Sequence, residues 1–251
     1  MRSIRLLLFF IGLSLPALGF SKGVTVAAAS SLQFVLRELA VEYERLTDMR
    51  APKFVFGSSG NLYRQIVQGA PFDLFFSARS ELIAELNTAG LSVDEGTRFG
   101  TGRLVLLYGA QESPVAGFAD AVKFGVIQNN TKLAIANPTH APYGQAAKQA
   151  LQSLDLWDAV SRFVVNGEQV SQAAQFVVSG SVPYGLVSLT LALAPTVASS
   201  SDYYLVDEKL HETIELQMVR INEENKAALQ FYEFVLQSPA TEEIFKRYGL
   251  R

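Results

Sequence analysis

The chain contains no cysteine, so no disulfide can staple it in any compartment and its stability has to come from a packed core. There are two histidines, His140 and His211, and no Cys, His or acidic cluster has metal-ligand spacing, so a bound cation is not expected. A block of Lys and Arg is missing too. With 21 basic and 24 acidic residues the formal charge is −3, which argues against nucleic acid or an anionic lipid surface as partner. No apolar run reaches the ~20 residues that a membrane-spanning helix needs. Long repeats, low-complexity tracts and flexible linkers are also lacking, so separate beads on a string are not the expected organisation.

What is present begins with a leader. Met1-Arg2-Ser3-Ile4-Arg5 is basic, Leu6 to Leu15 is apolar, and Pro16-Ala17-Leu18-Gly19 is a small-residue cleavage pattern. Residues 1–19 are therefore read as a secretory signal peptide, cut after Gly19 or, as the alternative, after Ser21. Loss of Arg2 and Arg5 takes the formal charge from −3 to −5. The mature chain is expected to be soluble and periplasmic, and the 251-residue precursor is long enough to bury one large core or two.

Val24-Thr25-Val26-Ala27-Ala28 reads as a buried strand, and Leu32, Val35, Leu36, Leu39, Tyr43 and Leu46 follow at helical steps of three and four. Lys53 to Phe56 and Asp73 to Phe76 are further strands, each followed by a helix, Leu62 to Gln68 and Ser80 to Ala89. The pattern restarts at Leu104 to Tyr108. It continues through the strand Leu133 to Ala136, the helices Gln145 to Leu154 and Val170 to Ser179, and the strand Tyr184 to Val187. Strands are also expected at Tyr203 to Val206 and Leu216 to Val219, and a last helix runs to Tyr248 with Ser238 as N-cap and Pro239 in its first turn. This alternation predicts an α/β fold with mainly parallel sheets. Lobe one is expected over residues 22–103 plus 206–251 and lobe two over 104–205, joined by extended strands near Gly100–Leu104 and Ser200–Val206.

Four polar stretches stand at expected helix starts: Ala28-Ala29-Ser30-Ser31-Leu32, Gly57-Ser58-Ser59-Gly60-Asn61, Ala141-Pro142-Tyr143-Gly144 and Glu168-Gln169-Val170. A helix start exposes unpaired N–H groups and a partial positive charge, so several converging on one cleft would grip an anion without Lys or Arg. A single serine at such a position is ordinarily just a cap. Recurrence of the device in both halves is what suggests a site, because ligands of open α/β sheets lie beyond the carboxyl ends of the strands.

The first three of these segments, together with Gly69-Ala70-Pro71-Phe72-Asp73-Leu74-Phe75, Val182-Pro183-Tyr184-Gly185 and Ile244-Phe245-Lys246-Arg247-Tyr248-Gly249, resemble the periplasmic molybdate-binding proteins of ABC importers. The resemblance covers essentially the whole mature chain. It implies a two-lobed (type II) solute-binding fold that closes on one tetrahedral oxyanion, molybdate or tungstate, with no cofactor, no catalysis, a membrane permease as partner and a monomeric state. Carried over by position, Ser31 and Ser59 donate from lobe one, and Tyr143 and Val170 donate main-chain N–H from lobe two. Ser188 stands where some relatives place a tyrosine, and Ser30 is an alternative to Ser31. Molybdate and tungstate are fully deprotonated at neutral pH and suit a site made only of donors, whereas phosphate keeps a proton that needs an acceptor.

Two other readings stand beside this one. A second oxyanion, sulfate or thiosulfate, would use the same devices. A Ser/His hydrolase would use His140, but Gly57-Ser58-Ser59-Gly60 is not the Gly-x-Ser-x-Gly elbow and no Asp stands out in sequence to orient His140. Glu168 is expected to face solvent.

Overall fold

The computed structural model describes residues 23–110 and 117–250; the expected signal peptide, residues 1–19, lies outside the described residues. The first stretch carries β1 (Thr25–Ala29), a 3-10 turn (Ser30–Leu32), α1 (Gln33–Thr47), β2 (Lys53–Gly57), α2 (Ser59–Val67), β3 (Leu74–Ser77), α3 (Ser80–Thr88) and β4 (Thr97–Gly102). Next come β5 (Leu104–Gly109), the short α4 (Phe118–Asp120) running into a wider helical coil (Ala121–Gln128), β6 (Leu133–Ala136), α5 (Pro142–Ser153), α6 (Trp157–Val160), β7 (Val164–Gly167) and α7 (Val170–Val178). The remainder is β8 (Tyr184–Ser188), α8 (Leu189–Ala192), α9 (Pro195–Ala198), β9 (Ser201–Leu205), β10 (Ile214–Arg220), α10 (Lys226–Gln237) and α11 (Pro239–Arg247).

Two five-stranded sheets result, ordered β2-β1-β3-β10-β4 and β7-β6-β8-β5-β9. Each has a parallel half and an antiparallel half: β1 pairs in parallel with β2 and β3, and β6 with β7 and β8, while β10 runs against β3 and β4, and β5 against β8 and β9. This corrects the mainly parallel sheets expected from the alternation of elements. The alternation holds only locally, and β10 and β5 enter their sheets from distant parts of the chain, where sequence order does not dictate direction.

Burial follows the expected patterns in most places. Val26 to Ala29, Leu74 to Phe76 and Leu104 to Leu107 are all buried, as befits strands covered on both faces. In α1 the residues Val35, Leu36, Leu39 and Tyr43 face the core, whereas Leu46, in the last turn before the helix ends at Asp48 with φ 54, is 49% exposed. Asp73 is buried and ties three strands together. Its carboxylate accepts from Thr25 N–H at 2.7 Å and Asn222 Nδ2 at 2.9 Å, and its carbonyl accepts from Ile221 N–H at 2.8 Å. Near the C-terminus, Glu223 and Glu224 precede α10, which Asn225 caps by accepting from Ala228 N–H. Ser238 precedes α11 as expected, yet makes no side-chain cap bond.

Candidate functional site

The turn after β1, the start of α2, the loop after β3, and the starts of α5 and α7 meet around one small cavity lined by Ala29, Ser30, Ser31, Gly57, Ser58, Ser59, Ala78, Ala141, Pro142, Tyr143 and Val170. Each lining segment follows the carboxyl end of a strand, β1, β2 and β3 of the first sheet and β6 and β7 of the second. The cavity volume is about 10 Å3. That is far below the roughly 300–1,000 Å3 of pockets that hold drug-sized molecules and is about the room one water needs, so the space between these segments is closed to an organic ligand. No Lys, Arg, Asp or Glu is among the described residues that line it. A larger recess nearby is lined by Glu81, Glu85, Glu212 and Glu215 with Arg79, an unfavourable place for an anion.

Hydrogen bonding at the starts of α2, α5 and α7 leaves one main-chain donor without a partner in a residue that lines this space. In α2, Gly60 N–H donates to the His140 carbonyl (3.0 Å), Asn61 N–H to Ser58 Oγ (3.4 Å) and Leu62 N–H to the Ser58 carbonyl (3.0 Å), which leaves Ser59 N–H. In α5, Pro142 has no N–H, and Gly144 and Gln145 both donate to the Ala141 carbonyl, which leaves Tyr143 N–H. In α7, Ser171 N–H donates to Ser30 Oγ (3.3 Å), and Gln172 and Ala173 N–H to the Gln169 carbonyl, which leaves Val170 N–H. These three N–H groups have no partner among the described residues, and each is the kind of orphan donor that a helix start presents to an anion.

The hydroxyls are arranged with equal definition. Ser59 Oγ accepts from Ala78 N–H at 3.0 Å, so its hydrogen is left to donate elsewhere. Ser31 Oγ is buried without a hydrogen-bond partner, as is the Tyr143 hydroxyl. Burial raises the Tyr143 phenol well above its ordinary range, and the nearby Ser31 hydroxyl draws it back slightly although no well-formed bond joins them. Gly102 makes room for this ring, since a Cβ there would lie 2.2 Å from the Tyr143 hydroxyl. Ser30 Oγ is the acceptor for Ser171 N–H and so links the two halves across the cavity.

Ser31, Ser59, Tyr143 and Val170 are thus brought together, and Ser188 is not. It stands outside the lining, fully buried at the end of β8, where Oγ caps α8 by accepting from Leu191 N–H. Its hydrogen goes to Thr190 Oγ1 at 2.9 Å, because Thr190 itself donates to the Ser31 carbonyl at 2.6 Å. Ser188 therefore supports the Ser31 turn through Thr190. A serine is also too short to reach where a tyrosine would.

Ser58, His140 and Glu168 form a constellation that sequence reasoning did not assemble. Ser58 Oγ lies 2.9 Å from His140 Nδ1, and His140 Nε2 lies 3.5 Å from Glu168, whose side chain is 76% exposed. The acid beside His140 is thus a glutamate and not an aspartate, and Glu168 faces solvent as expected. Burial lowers the His140 pKa below the ordinary histidine value, Glu168 opposes this and Arg64 adds to it. The motif neighbourhood of His140 was visible in sequence, but its partners come from two other elements.

A donor-only cavity between two α/β lobes agrees with what the chain is similar to. The family model for bacterial extracellular solute-binding proteins matches residues 24–251. The molybdate-binding protein ModA of Azotobacter vinelandii is 32% identical over 231 residues, 90% of this chain and 88% of that one. ModA of Rhodobacter capsulatus is 30% identical over 244 residues, 95% and 91% of the two chains. The solved Azotobacter vinelandii periplasmic molybdate-binding protein superposes with a TM-score of 0.81 at 28% identity, covering 91% of this chain and 98% of that one. On its fold, its site and this match across the described length, the chain belongs to the bacterial extracellular solute-binding protein family.

Proposed function

We propose that this protein captures molybdate, and tungstate with it, outside the cytoplasm and delivers the ion to an ABC importer. The observation that carries the reading is the donor set. Unpaired N–H groups of Ser59, Tyr143 and Val170 and the hydroxyls of Ser31 and Ser59 belong to residues around a cavity that has no carboxylate among its described lining residues. An oxyanion without a proton satisfies five donors at once, whereas a protonated one brings a donor of its own. Charge-assisted bonds contribute about 1.5–3 kcal/mol each, so five of them support binding near −8 kcal/mol, about micromolar, after the costs of ordering and closure.

The lobes are taken as residues 22–103 with 206–251, and 104–205. Sheet membership supports this division, since the two sheets exchange chain between Gly102 and Leu104 and between Leu205 and Ile214. The mature protein is read as a periplasmic monomer that performs no reaction. Ser58, His140 and Glu168 favour a second reading, a periplasmic hydrolase, because they reproduce the residue types of a triad. Against it, Ser58 Oγ is occupied as the cap of α2 and is held by Nδ1, leaving the largely exposed Glu168 on the outer nitrogen.

Calorimetry of the mature chain against molybdate, tungstate, sulfate and phosphate tests the proposal. Saturable molybdate binding with phosphate inert is the expected result; phosphate bound and molybdate ignored would refute it. Ester turnover abolished by His140→Ala would favour the hydrolase.

A further inference from the structure

Two contacts join His140, which follows β6 of the second sheet, to the start of α2 above the first: its carbonyl accepts from Gly60 N–H at 3.0 Å, and its Nδ1 meets Ser58 Oγ at 2.9 Å. The approach is close, for a Cβ on Gly60 would lie 2.8 Å from the His140 carbonyl oxygen. His140 is 9% exposed and lies outside the cavity lining, whereas Ser58 is part of it. Ser58 is therefore the link between the imidazole and whatever the cavity holds.

The direction of the Ser58 hydroxyl hydrogen is set by the imidazole. When His140 is neutral with its hydrogen on Nε2, toward Glu168, Nδ1 is an acceptor and takes the Ser58 hydrogen. When His140 is protonated, Nδ1 becomes a donor, Ser58 Oγ accepts from it, and the hydroxyl hydrogen is free to turn into the cavity. Protonation thus adds a donor to the wall and a positive charge one residue behind it. We propose that His140 is a positioning residue for anion capture, which fastens the two lobes beside the cavity and decides whether Ser58 donates to the imidazole or to the anion.

This rests on the oxyanion reading above. The charged groups facing the ring are Glu168 before α7 and Arg64 on α2, and Arg64 is itself bonded to Asn61. Because burial keeps the ring neutral in the empty protein at neutral pH, a doubly negative guest raises its proton affinity, and binding takes up a proton.

The test is molybdate calorimetry on the mature chain between about pH 8 and about pH 5.5, the range over which a histidine titrates, in buffers of different ionisation enthalpy. The wild type is expected to bind more tightly as pH falls, by up to about tenfold per pH unit, with uptake of up to one proton per ion. Ser58→Ala and His140→Asn should each flatten that profile. In NMR titrations the His140 imidazole should titrate at higher pH with molybdate bound than without, and His211 serves as the internal control. Binding that is pH-independent in the wild type, a full slope retained by His140→Asn, or an imidazole titration unmoved by molybdate would overturn the inference while leaving the site reading intact. Failure to bind molybdate, tungstate or sulfate at any pH would overturn both.

Discussion

Ser59→Ala separates a ligand-binding serine from a purely structural one. The hydroxyl has two partners to serve: it accepts from Ala78 N–H at 3.0 Å and keeps its hydrogen for the cavity. Alanine at 59 leaves the Ala78 N–H unpaired, which destabilises the fold by about 1–3 kcal/mol, but that loss is common to the free and bound protein and cancels in the affinity. What remains in the affinity is one donor to a charged acceptor, about 1.5–3 kcal/mol, or about ten- to 150-fold in the dissociation constant. The main-chain N–H of Ser59 survives the substitution, so binding should weaken and not vanish. Calorimetry with molybdate reads the affinity and thermal unfolding reads the stability. A lowered melting temperature with an unchanged isotherm would show that the hydroxyl serves Ala78 alone, and the reading of this serine as a ligand would be wrong.

Other outcomes can be stated more briefly. Val170→Pro removes the N–H at the first position of α7 and replaces a buried valine by another compact apolar side chain; proline is tolerated there and Gln169 is already extended, so the helix should persist while molybdate affinity drops at least about tenfold, and full affinity would mean that this N–H does not face the ion. Tyr143→Phe should bind within about twofold of wild type and unfold no earlier, because the hydroxyl it deletes is buried and unpaired; a large loss in the isotherm would make the phenol the true donor. Gly144→Ala would place a Cβ 2.1 Å from the Ala136 carbonyl oxygen and should destabilise the protein by more than about 3 kcal/mol in a denaturant melt; a neutral result would mean that α5 can shift freely.

Local chemistry was legible where it is written in consecutive residues. The apolar runs Val24 to Ala28, Leu104 to Tyr108 and Leu133 to Ala136 are strands, and the polar or proline-marked starts at Ser58, Pro142 and Gln169 open helices, because capping and burial periodicity act over a few neighbours. The same locality hid where the charged run Glu223-Glu224 lies: it reads as a solvated helix face, and in the fold it precedes α10, which Asn225 caps. It also hid the direction of β5 and β10, which is decided by partners far away in the chain.

The sequence alone determined that the chain has to bury its core without disulfides and offers several uncharged helix starts able to hold an anion. Only the tertiary structure decided which donors are free, because an N–H or hydroxyl is available to a ligand only if no other group in the folded chain has taken it. That condition selects Ser59, Tyr143 and Val170, turns Ser188 away toward Thr190, and sets His140 between Ser58 and Glu168. Hydrogen-bond partners are settled by distance in space, and distance across the cavity between two sheets is not encoded in any short run of residues.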